Sequence, residues 1–229
     1  VGEMVHQYGE NMFRLYRLPV PKKGLVTGIL GPNGIGKSTA LNMLSGLEIP
    51  NLGNYENPPS KDEVLAHYAG SEICDHLKKV YDGGIRMALK PQYVDRLPKA
   101  SKGVVRDLLE KVQERMTVKE AAEEFELTNV LDRSLDKLSG GELQRLAMAA
   151  TLMKDADIYY FDEPSSYLDI YQRVKMARQI KAVSADKQVV VIEHDLAIMD
   201  FLADNVSVVY GSEGSYGVFT LARQVRTAI

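Results

Sequence analysis

A glycine-rich octapeptide at residues 31–38, the phosphate loop, constrains the fold of this chain more than any other feature. Its letters are Gly-Pro-Asn-Gly-Ile-Gly-Lys-Ser, which match the Walker A pattern of a loop that wraps phosphate groups. Glycines without Cβ atoms let backbone N–H groups approach phosphate oxygens closely. Lys37 adds a positive charge for the β- and γ-phosphates, and Ser38 offers a hydroxyl to Mg²⁺. The residues predicted to hold the triphosphate are Asn33, Gly34, Gly36, Lys37, Ser38 and Thr39.

The segments on either side of this loop predict an α/β fold. Residues 25–30 form an apolar run typical of a short buried strand, and residues 39–47 have the apolar spacing of a helix that begins near Lys37. Strands that alternate with helices form mostly parallel sheets. Three further strands and one helix are predicted at residues 158–161, 188–192, 206–210 and 170–182, respectively.

The middle of the chain has a mainly helical pattern. A loop rich in Pro, Gly and Asn at residues 51–60 leads to charged helices at residues 61–84, and further helices are predicted at residues 102–127. The many charges of residues 110–126 are interpreted as a solvated helix face with i,i+4 pairs. We therefore expect a helical lobe over residues 95–154 that interrupts the α/β core.

Composition excludes several classes of protein. The 229 residues carry a net charge of only −3, so no global positive field attracts nucleic acid or an anionic membrane, although the charge total leaves room for a local basic patch. No apolar run approaches the roughly 18 residues that span a bilayer, and no amino-terminal targeting pattern is present, so a cytoplasmic protein without a membrane partner is expected. Cys74 is the single cysteine, which excludes an internal disulfide and indicates a small buried or half-buried side chain.

Two carboxylates follow the predicted strand at residues 158–161. Asp162 and Glu163 would lie at the carboxyl edge of a parallel sheet, where ligands bind in such folds. Asp162 suits Mg²⁺, which needs only one or two protein oxygens, and Glu163 suits the attacking water. His194 closely follows the strand at residues 188–192 and could contact the γ-phosphate or align Glu163 with water. The other histidines, interpreted as surface or capping residues, are His6, His67 and His76.

A second glycine-containing helix start lies at residues 138–145, which read Leu-Ser-Gly-Gly-Glu-Leu-Gln-Arg. Ser139, Gly140 and Gly141 offer a hydroxyl, two amides without Cβ shielding and a helix dipole, which together favour an anion. Because the phosphate loop already provides one phosphate site, this segment would serve a nucleotide that another domain holds. A capped helix with flexible glycines is the alternative interpretation.

The order of these motifs resembles that of the ATP-binding-cassette (ABC) ATPases over nearly the whole chain. The resemblance implies an α/β fold with a P-loop NTPase core of the RecA-like type, an antiparallel β subdomain and an inserted helical subdomain. It implies a single cassette domain over residues 1–229, with residues 1–94 and 155–229 as the core. Its other parts would be the helical signature subdomain at residues 95–154, a helical insertion at residues 61–84 and the start of a hinge at residues 221–229.

The same resemblance assigns roles to individual residues. Gln92 would sense Mg²⁺ and the attacking water. The catalytic candidates are then Glu163, His194 and Gln92, and the candidates for Mg²⁺ are Ser38, Gln92 and Asp162. Asp169 would end the loop that communicates across a pair of cassettes. The residues that would close over the γ-phosphate of a partner cassette are Ser139, Gly140, Gly141 and Glu142.

Within this family, the sequence is similar to that of subfamily E, the ribosome-recycling factors, at residues 51–53, 90–95, 162–169 and 216–217. That resemblance implies ATP or ADP as ligand, with Tyr8 and Phe13 as the rings that hold adenine. As partners it implies a second cassette of the same protein, the ribosomal small subunit and termination factors. It also implies an iron–sulfur cluster, which is expected only in a domain absent from this chain. An isolated cassette is expected to hydrolyse ATP slowly.

Two other functions stay open at this point. The chain could be the ATPase subunit of an ABC membrane transporter, which would use the same site but dock on a membrane partner. It could also be a binding module in which ATP sets the conformation without significant turnover. Association with ribosomal subunits rather than membranes, and phosphate release in a single turnover, would distinguish these functions.

Overall fold

The computed structural model describes residues 2–225, in which strands and helices alternate over much of the chain. The strands are β1 (Met4–Gln7), β2 (Arg14–Tyr16), β3 (Val26–Leu30), β4 (Met87–Lys90), β5 (Ile158–Asp162), β6 (Gln188–Glu193), β7 (Asn205–Ser212), β8 (Tyr216–Phe219) and β9 (Arg223–Gln224). The helices are α1 (Lys37–Leu44), α2 (Lys61–His67), α3 (Glu72–Tyr81), α4 (Leu97–Ala100), α5 (Val105–Glu110), α6 (Val118–Glu124), α7 (Gly140–Leu152), α8 (Ile170–Ser184) and α9 (Leu196–Leu202). The predicted hinge start at residues 221–229 extends outside the described residues from position 226 onward.

The strands of the described part form one sheet in the order β1-β2-β8-β7-β3-β6-β5-β4, with β9 paired to β7. Neighbours from β7 to β4 are parallel, whereas β1 with β2 and β7 with β8 are antiparallel. Strands β3 and β5 are buried at every residue, as expected for parallel strands covered on both faces. The predicted α/β class, with a mainly parallel core and an antiparallel β portion, is confirmed.

Alternate residues of the central strands enter two separate apolar clusters. Tyr159 and Phe161 of β5 point to the cluster built with α7 and α8, whereas Tyr160 points to the cluster built with α1 and α3. This follows from the period of two along a strand, which sends neighbouring side chains to opposite faces. Helices on both faces therefore hold the carboxyl edge of the sheet in place.

One predicted helix ends earlier than expected, and one charged segment is divided between two helices. The helix predicted over residues 39–47 stops at Leu44, because Gly46 takes a positive φ of 76° and Leu47 is 70% exposed beyond it. The charged segment 110–126 is not one solvated helix face, since α5 ends at Glu110. A new helix, α6, starts after Thr117, whose hydroxyl and backbone pair with Glu120 in a capping box.

Two of the histidines interpreted as surface or capping residues are buried, so that interpretation is wrong for them. His76 is 5% exposed, and its Nε2 lies 2.8 Å from the carbonyl of Leu44, to which the Tyr160 hydroxyl also donates at 2.9 Å. His6 is 6% exposed and lies 3.2 Å from Glu48. Burial lowers the pKa of His76, so the neutral ring is favoured at the end of α1.

Other predictions for this region hold. His67 ends α2 and pairs with Glu3 at 2.7 Å, with a third of its side chain exposed. Cys74 is buried in α3, where its thiol donates to the Leu65 carbonyl at 3.4 Å. Residues 61–84, predicted to be helical, contain α2 and α3, each capped by a serine hydroxyl.

Candidate nucleotide site

The carboxyl ends of the parallel strands meet at one edge of the sheet, and a pocket opens there. Strand β3 leads into the phosphate loop, β5 into Asp162 and Glu163, and β4 into the segment that carries Gln92. This convergence is what parallel strand direction produces. The residues that line the pocket are Tyr8, Phe13, Asn33, Gly34, Gly36, Lys37, Ser38, Thr39, Gln92, Tyr93, Asp162, Glu163 and Gly214.

The phosphate loop has backbone angles that require glycine. Gly34 and Gly36 have positive φ values of 75° and 97°. A Cβ atom on Gly36 would lie 2.6 Å from the ring of Phe13, so a larger residue would displace that ring. Helix α1 begins directly after Gly36, and its positive end therefore points at the loop.

Lys37 is held inside the loop that it serves. Its side chain is buried, and its ammonium donates to the carbonyl of Gly31 at 2.5 Å. Burial lowers the pKa of Lys37, while the carboxylates of Glu163 and Asp162 act in the opposite direction. The arrangement presents one poorly solvated positive charge, which is suited to a phosphate chain.

The two acids after β5 differ in their surroundings. Asp162 is 6% exposed, and burial together with repulsion from Glu163 raises its pKa to about 6, against the effect of Lys90. Glu163 takes a positive φ of 48°, and its N–H donates to the Ile192 carbonyl at 2.9 Å. His194 Nδ1 lies 3.7 Å from Glu163 Oε1, although the histidine does not line the pocket.

Three buried residues that sequence reasoning missed support the acids. Lys90 is fully buried and donates to the Asp162 carbonyl at 2.8 Å and the Glu163 carbonyl at 3.3 Å. Burial lowers the pKa of Lys90 to about 8. Glu193 accepts the N–H of Ser165 at 2.9 Å, and Gln144 reaches the same turn from α7. For Lys90 and Glu193, the sequence signal that could have identified them is a charged residue at the end of a strand, since they end β4 and β6.

The two rings predicted to hold adenine lie at the mouth of the pocket. The Tyr8 hydroxyl donates to Glu48 Oε2 at 3.0 Å, and its ring meets His6 edge-on with centroids 4.6 Å apart. The Phe13 ring lies against Gly36. Both rings are thereby fixed beside the phosphate loop.

The predicted residues 139–142, here called the signature segment, lie apart from the pocket lining. Ser139 Oγ accepts the N–H of Glu142 at 3.2 Å, and Glu142 Oε2 accepts the N–H of Ser139 at 2.9 Å. Gly140 lies under the Tyr167 ring, which a Cβ atom would approach to 2.8 Å. Asp169 is also outside the pocket, where its Oδ1 caps α8 by accepting the N–H of Gln172 at 2.8 Å.

The donor set of the pocket fits Mg²⁺ carried with a nucleotide. Ser38, Gln92 and Asp162 bring a hydroxyl, an amide and a carboxylate to one wall, and oxygen donors of this kind suit Mg²⁺, which keeps several waters. In residues 2–225 no cluster of three or more His, Cys, Asp or Glu side chains could hold a metal by itself. The site therefore matches a metal that shares its ligands with a phosphate chain.

Comparison with known proteins gives the family. The family model described as "ABC transporter" matches residues 21–166. The chain is 47% identical over 228 residues to ABC transporter E family member 1 of Arabidopsis thaliana. The matched region covers 99% of this chain and 38% of the relative. It is 45% identical over 234 residues to translation initiation factor RLI1 of Saccharomyces cerevisiae, covering 100% of this chain and 38% of the relative.

A solved structure agrees with these sequence matches. The complex of the archaeal ribosomal stalk protein aP1 with the archaeal ribosome recycling factor aABCE1 superimposes with a TM-score of 0.93, at 52% identity, covering 98% of this chain and 43% of that chain. The chain thus spans less than half the length of each of these three relatives. No helix within residues 2–225 has the length and apolarity to cross a bilayer. The chain belongs to the ATP-binding-cassette family, as an ABC ATPase of subfamily E.

Proposed function

We propose that this chain is the ATP-binding and ATP-hydrolysing cassette of a ribosome-recycling ATPase that splits ribosomal subunits after termination. The observation that carries the proposal is the pocket at the sheet edge, where Lys37, Asp162 and Glu163 meet while the signature segment lies elsewhere. A phosphate loop with its charges in place but without a covering lobe needs a second cassette. ATP would then be enclosed between two such chains or domains.

Binding of ATP rests on the phosphate loop and the two rings. Backbone N–H groups of Asn33, Gly34 and Gly36 and the ammonium of Lys37 would surround the phosphates, with Thr39 beside them. Tyr8 and Phe13 would hold adenine, by stacking that contributes about 1–3 kcal/mol per base. Bound Mg²⁺ supplies neutralisation of phosphate charge, and the residues that would hold it are Ser38, Gln92 and Asp162.

Hydrolysis would be positional and electrostatic. Glu163 accepts a hydrogen bond from the attacking water, Gln92 holds that water beside it, and His194 fixes the geometry of the γ-phosphate. The water oxygen forms a bond to the γ-phosphorus as the bond to the β,γ-bridging oxygen breaks. The bridging oxygen keeps the electron pair and leaves with ADP, and the proton that the water loses passes to an oxygen of the released phosphate. The low exposure of Asp162 and Lys37 strengthens their action, because water screens them little.

Closure of two cassettes would complete each site. Ser139, Gly140, Gly141 and Glu142 of one cassette would meet the γ-phosphate held by the other, and Asp169 would lie at the contact between them. Their position outside this chain's own pocket supports that assignment. An isolated cassette lacks the covering lobe, so we expect it to bind ATP and to hydrolyse it slowly.

The relatives support the proposed partners. One matched relative is a translation initiation factor, and one matched structure contains an archaeal ribosome recycling factor. We extend this to the chain as contacts with the ribosomal small subunit and termination factors in the cytoplasm. We also propose the division into a core at residues 1–94 and 155–229, a signature subdomain at 95–154 and a hinge from 221, with any iron–sulfur cluster in a separate domain.

The decisive experiment compares Glu163→Gln with the unchanged protein. We expect ATP affinity to persist while turnover falls about 10²- to 10⁴-fold, since the acceptor for the water is lost. Phosphate release and calorimetry measure the two quantities, and Glu110→Gln, a change at the exposed end of α5, is the control. Hydrolysis by Glu163→Gln at the unchanged rate would contradict the catalytic assignment.

The ribosomal role is tested by mixing the natural full-length protein with ATP and intact ribosomes. Sucrose-gradient sedimentation should show free ribosomal subunits only when ATP, or an analogue that lets the two cassettes close, is present. Co-sedimentation with membrane vesicles instead of ribosomes would favour a transporter subunit. ATP binding without phosphate release in a single turnover would favour a module that ATP only gates.

A further inference from the structure

Gln144 lies between α7 and the turn that follows β5. It is four residues after Gly140 and its side chain is fully buried. Its Nε2 donates to the carbonyl of Glu163 at 2.9 Å and to that of Pro164 at 2.8 Å. The orientation of the amide is fixed, because an oxygen in place of Nε2 would face two carbonyl oxygens.

The turn that Gln144 contacts holds Glu163 in a left-handed conformation, with a φ of 48°. Such a backbone is unfavourable for a side-chain-bearing residue and persists when its surroundings hold it. Lys90 from β4 and the Ile192 carbonyl and Glu193 from β6 hold the turn from the sheet side. The two hydrogen bonds of Gln144 reach the turn from the other direction, out of helix α7.

That helix begins at the signature segment. Ser139 is the N-cap of α7, and its capping box with Glu142 closes the first turn. Gln144 follows Ser139 by five residues, a rise of about 7.5 Å along hydrogen-bonded helix backbone, so Gln144 moves with Ser139 as one rigid unit. A shift of the signature segment therefore changes the distance between the Gln144 amide and the turn that carries Glu163.

We infer that Gln144 is a positioning residue that links the signature segment to Glu163 of the same chain. The inference rests on the proposed function, because it needs the signature segment to engage a nucleotide held by a partner cassette. When the segment closes on that nucleotide, Gln144 sets the backbone of Glu163 so that its carboxylate aligns the water in this chain's own pocket. Occupancy of one nucleotide site thereby controls hydrolysis at the other.

The test uses the natural full-length protein and the Gln144→Met variant, which keeps side-chain length and removes the donor. We expect kcat for ATP hydrolysis to fall about tenfold and KM to stay unchanged, because hydrogen bonds of this kind are worth about one decade in rate. The matched control is Gln179→Met. Its Nε2 donates to the carbonyl and the carboxylate of Glu124, at 3.3 and 2.9 Å, and ties α8 to α6 away from the turn.

Gln144→Glu separates hydrogen bonding from packing. A protonated carboxyl keeps one donor towards the carbonyls of Glu163 and Pro164, whereas an ionised carboxylate keeps none and repels them. The ratio of kcat for this variant to the unchanged protein should therefore fall as pH rises. This ratio also gives the answer if Gln144→Met fails to fold, since the protonated variant is nearly isosteric with glutamine.

The outcomes distinguish the two proposals. Unchanged kcat in Gln144→Met, or a pH-independent ratio in Gln144→Glu, overturns this inference while Glu163→Gln stays inactive. An active Glu163→Gln variant instead overturns the proposed function, and this inference with it.

Discussion

The phosphate loop and the signature segment are both glycine-rich helix starts, yet they use their backbone donors differently. At the phosphate loop, Gly36 is the N-cap of α1 and no side chain caps the helix, so its first N–H groups remain for a ligand. At the signature segment, Ser139 and Glu142 satisfy each other. Similar composition can therefore build an open anion site in one place and a capped helix start in another.

The charges beside the two segments differ as well. Lys37 and Asp162 are buried, with pKa values displaced by burial. Glu142 forms its ion pair with Arg133 at 3.2 Å on the surface, where water screens the attraction. The charges at the phosphate loop therefore act where water screens them little, whereas the Arg133–Glu142 pair beside the signature segment is screened.

The largest effect on stability is expected from Lys90→Met. The change removes the donor to the carbonyls of Asp162 and Glu163 and a buried positive charge that favours the Asp162 carboxylate, and we expect a loss of about 3–5 kcal/mol in the free energy of unfolding. Urea denaturation measures it. The matched surface change, Arg133→Met, should cost about 0–1 kcal/mol. An equal loss in the free energy of unfolding for the two variants would show that burial does not make the Lys90 charge more important than the Arg133 charge.

Lys37→Ala tests the open anion site. Loss of a buried charge that faces the phosphates should weaken ATP binding by about 10- to 100-fold, as hydrogen bonds to charged groups are worth about 1.5–3 kcal/mol. Calorimetry on the single chain measures the affinity. Lys22→Ala, which removes an exposed lysine paired with Glu72 at 3.8 Å, is the control. An unaltered affinity in Lys37→Ala would refute the phosphate assignment.

Substitutions of Ser139 test the capped helix start of the signature segment. Ser139→Ala should cost about 1 kcal/mol in stability through loss of the cap, without changing ATP affinity of the single chain. Ser139→Asp keeps a capping oxygen and so should keep stability, but its charge would repel a partner's γ-phosphate and stop turnover of the full-length protein. Normal turnover in Ser139→Asp would exclude the signature segment from the closed site.

The smallest effect concerns His76, beneath the end of α1. Burial holds the pKa of His76 below that of the unfolded chain, so the unfolded chain binds more protons and stability falls as pH falls. His76→Gln keeps a donor for the Leu44 carbonyl and does not titrate. Urea denaturation from about pH 7.5 to about pH 5 should give a flatter profile for the variant. Parallel profiles would show that His76 is not a source of acid sensitivity.

The strands of the parallel core could be predicted from the sequence. Strands β3, β5 and β6 are apolar runs, which are recognisable within a single segment of the chain. The sequence was insufficient for the short strands. Arg14–Tyr16 has three residues of mixed polarity, and Met87–Lys90 buries only alternate residues, so neither differs from a loop until its neighbours are known.

The candidate site divides in the same way. The phosphate loop could be predicted because its residues are consecutive and the chemistry is local. Lys90, Gln144 and Glu193 could not, because they meet at the turn after β5 from three different elements. Their roles come from tertiary convergence, which no pattern within one segment records. The burial of His6 and His76 was missed for the same reason.

Cys74 makes the cassette convenient for distance measurements. It is the single cysteine of the chain, and its thiol is buried in α3, where a bulky maleimide cannot reach it. A Glu110→Cys substitution at the exposed end of α5 would take a fluorescent dye without removal of the native thiol. Energy transfer between two dyes would then follow opening and closing of paired cassettes in real time.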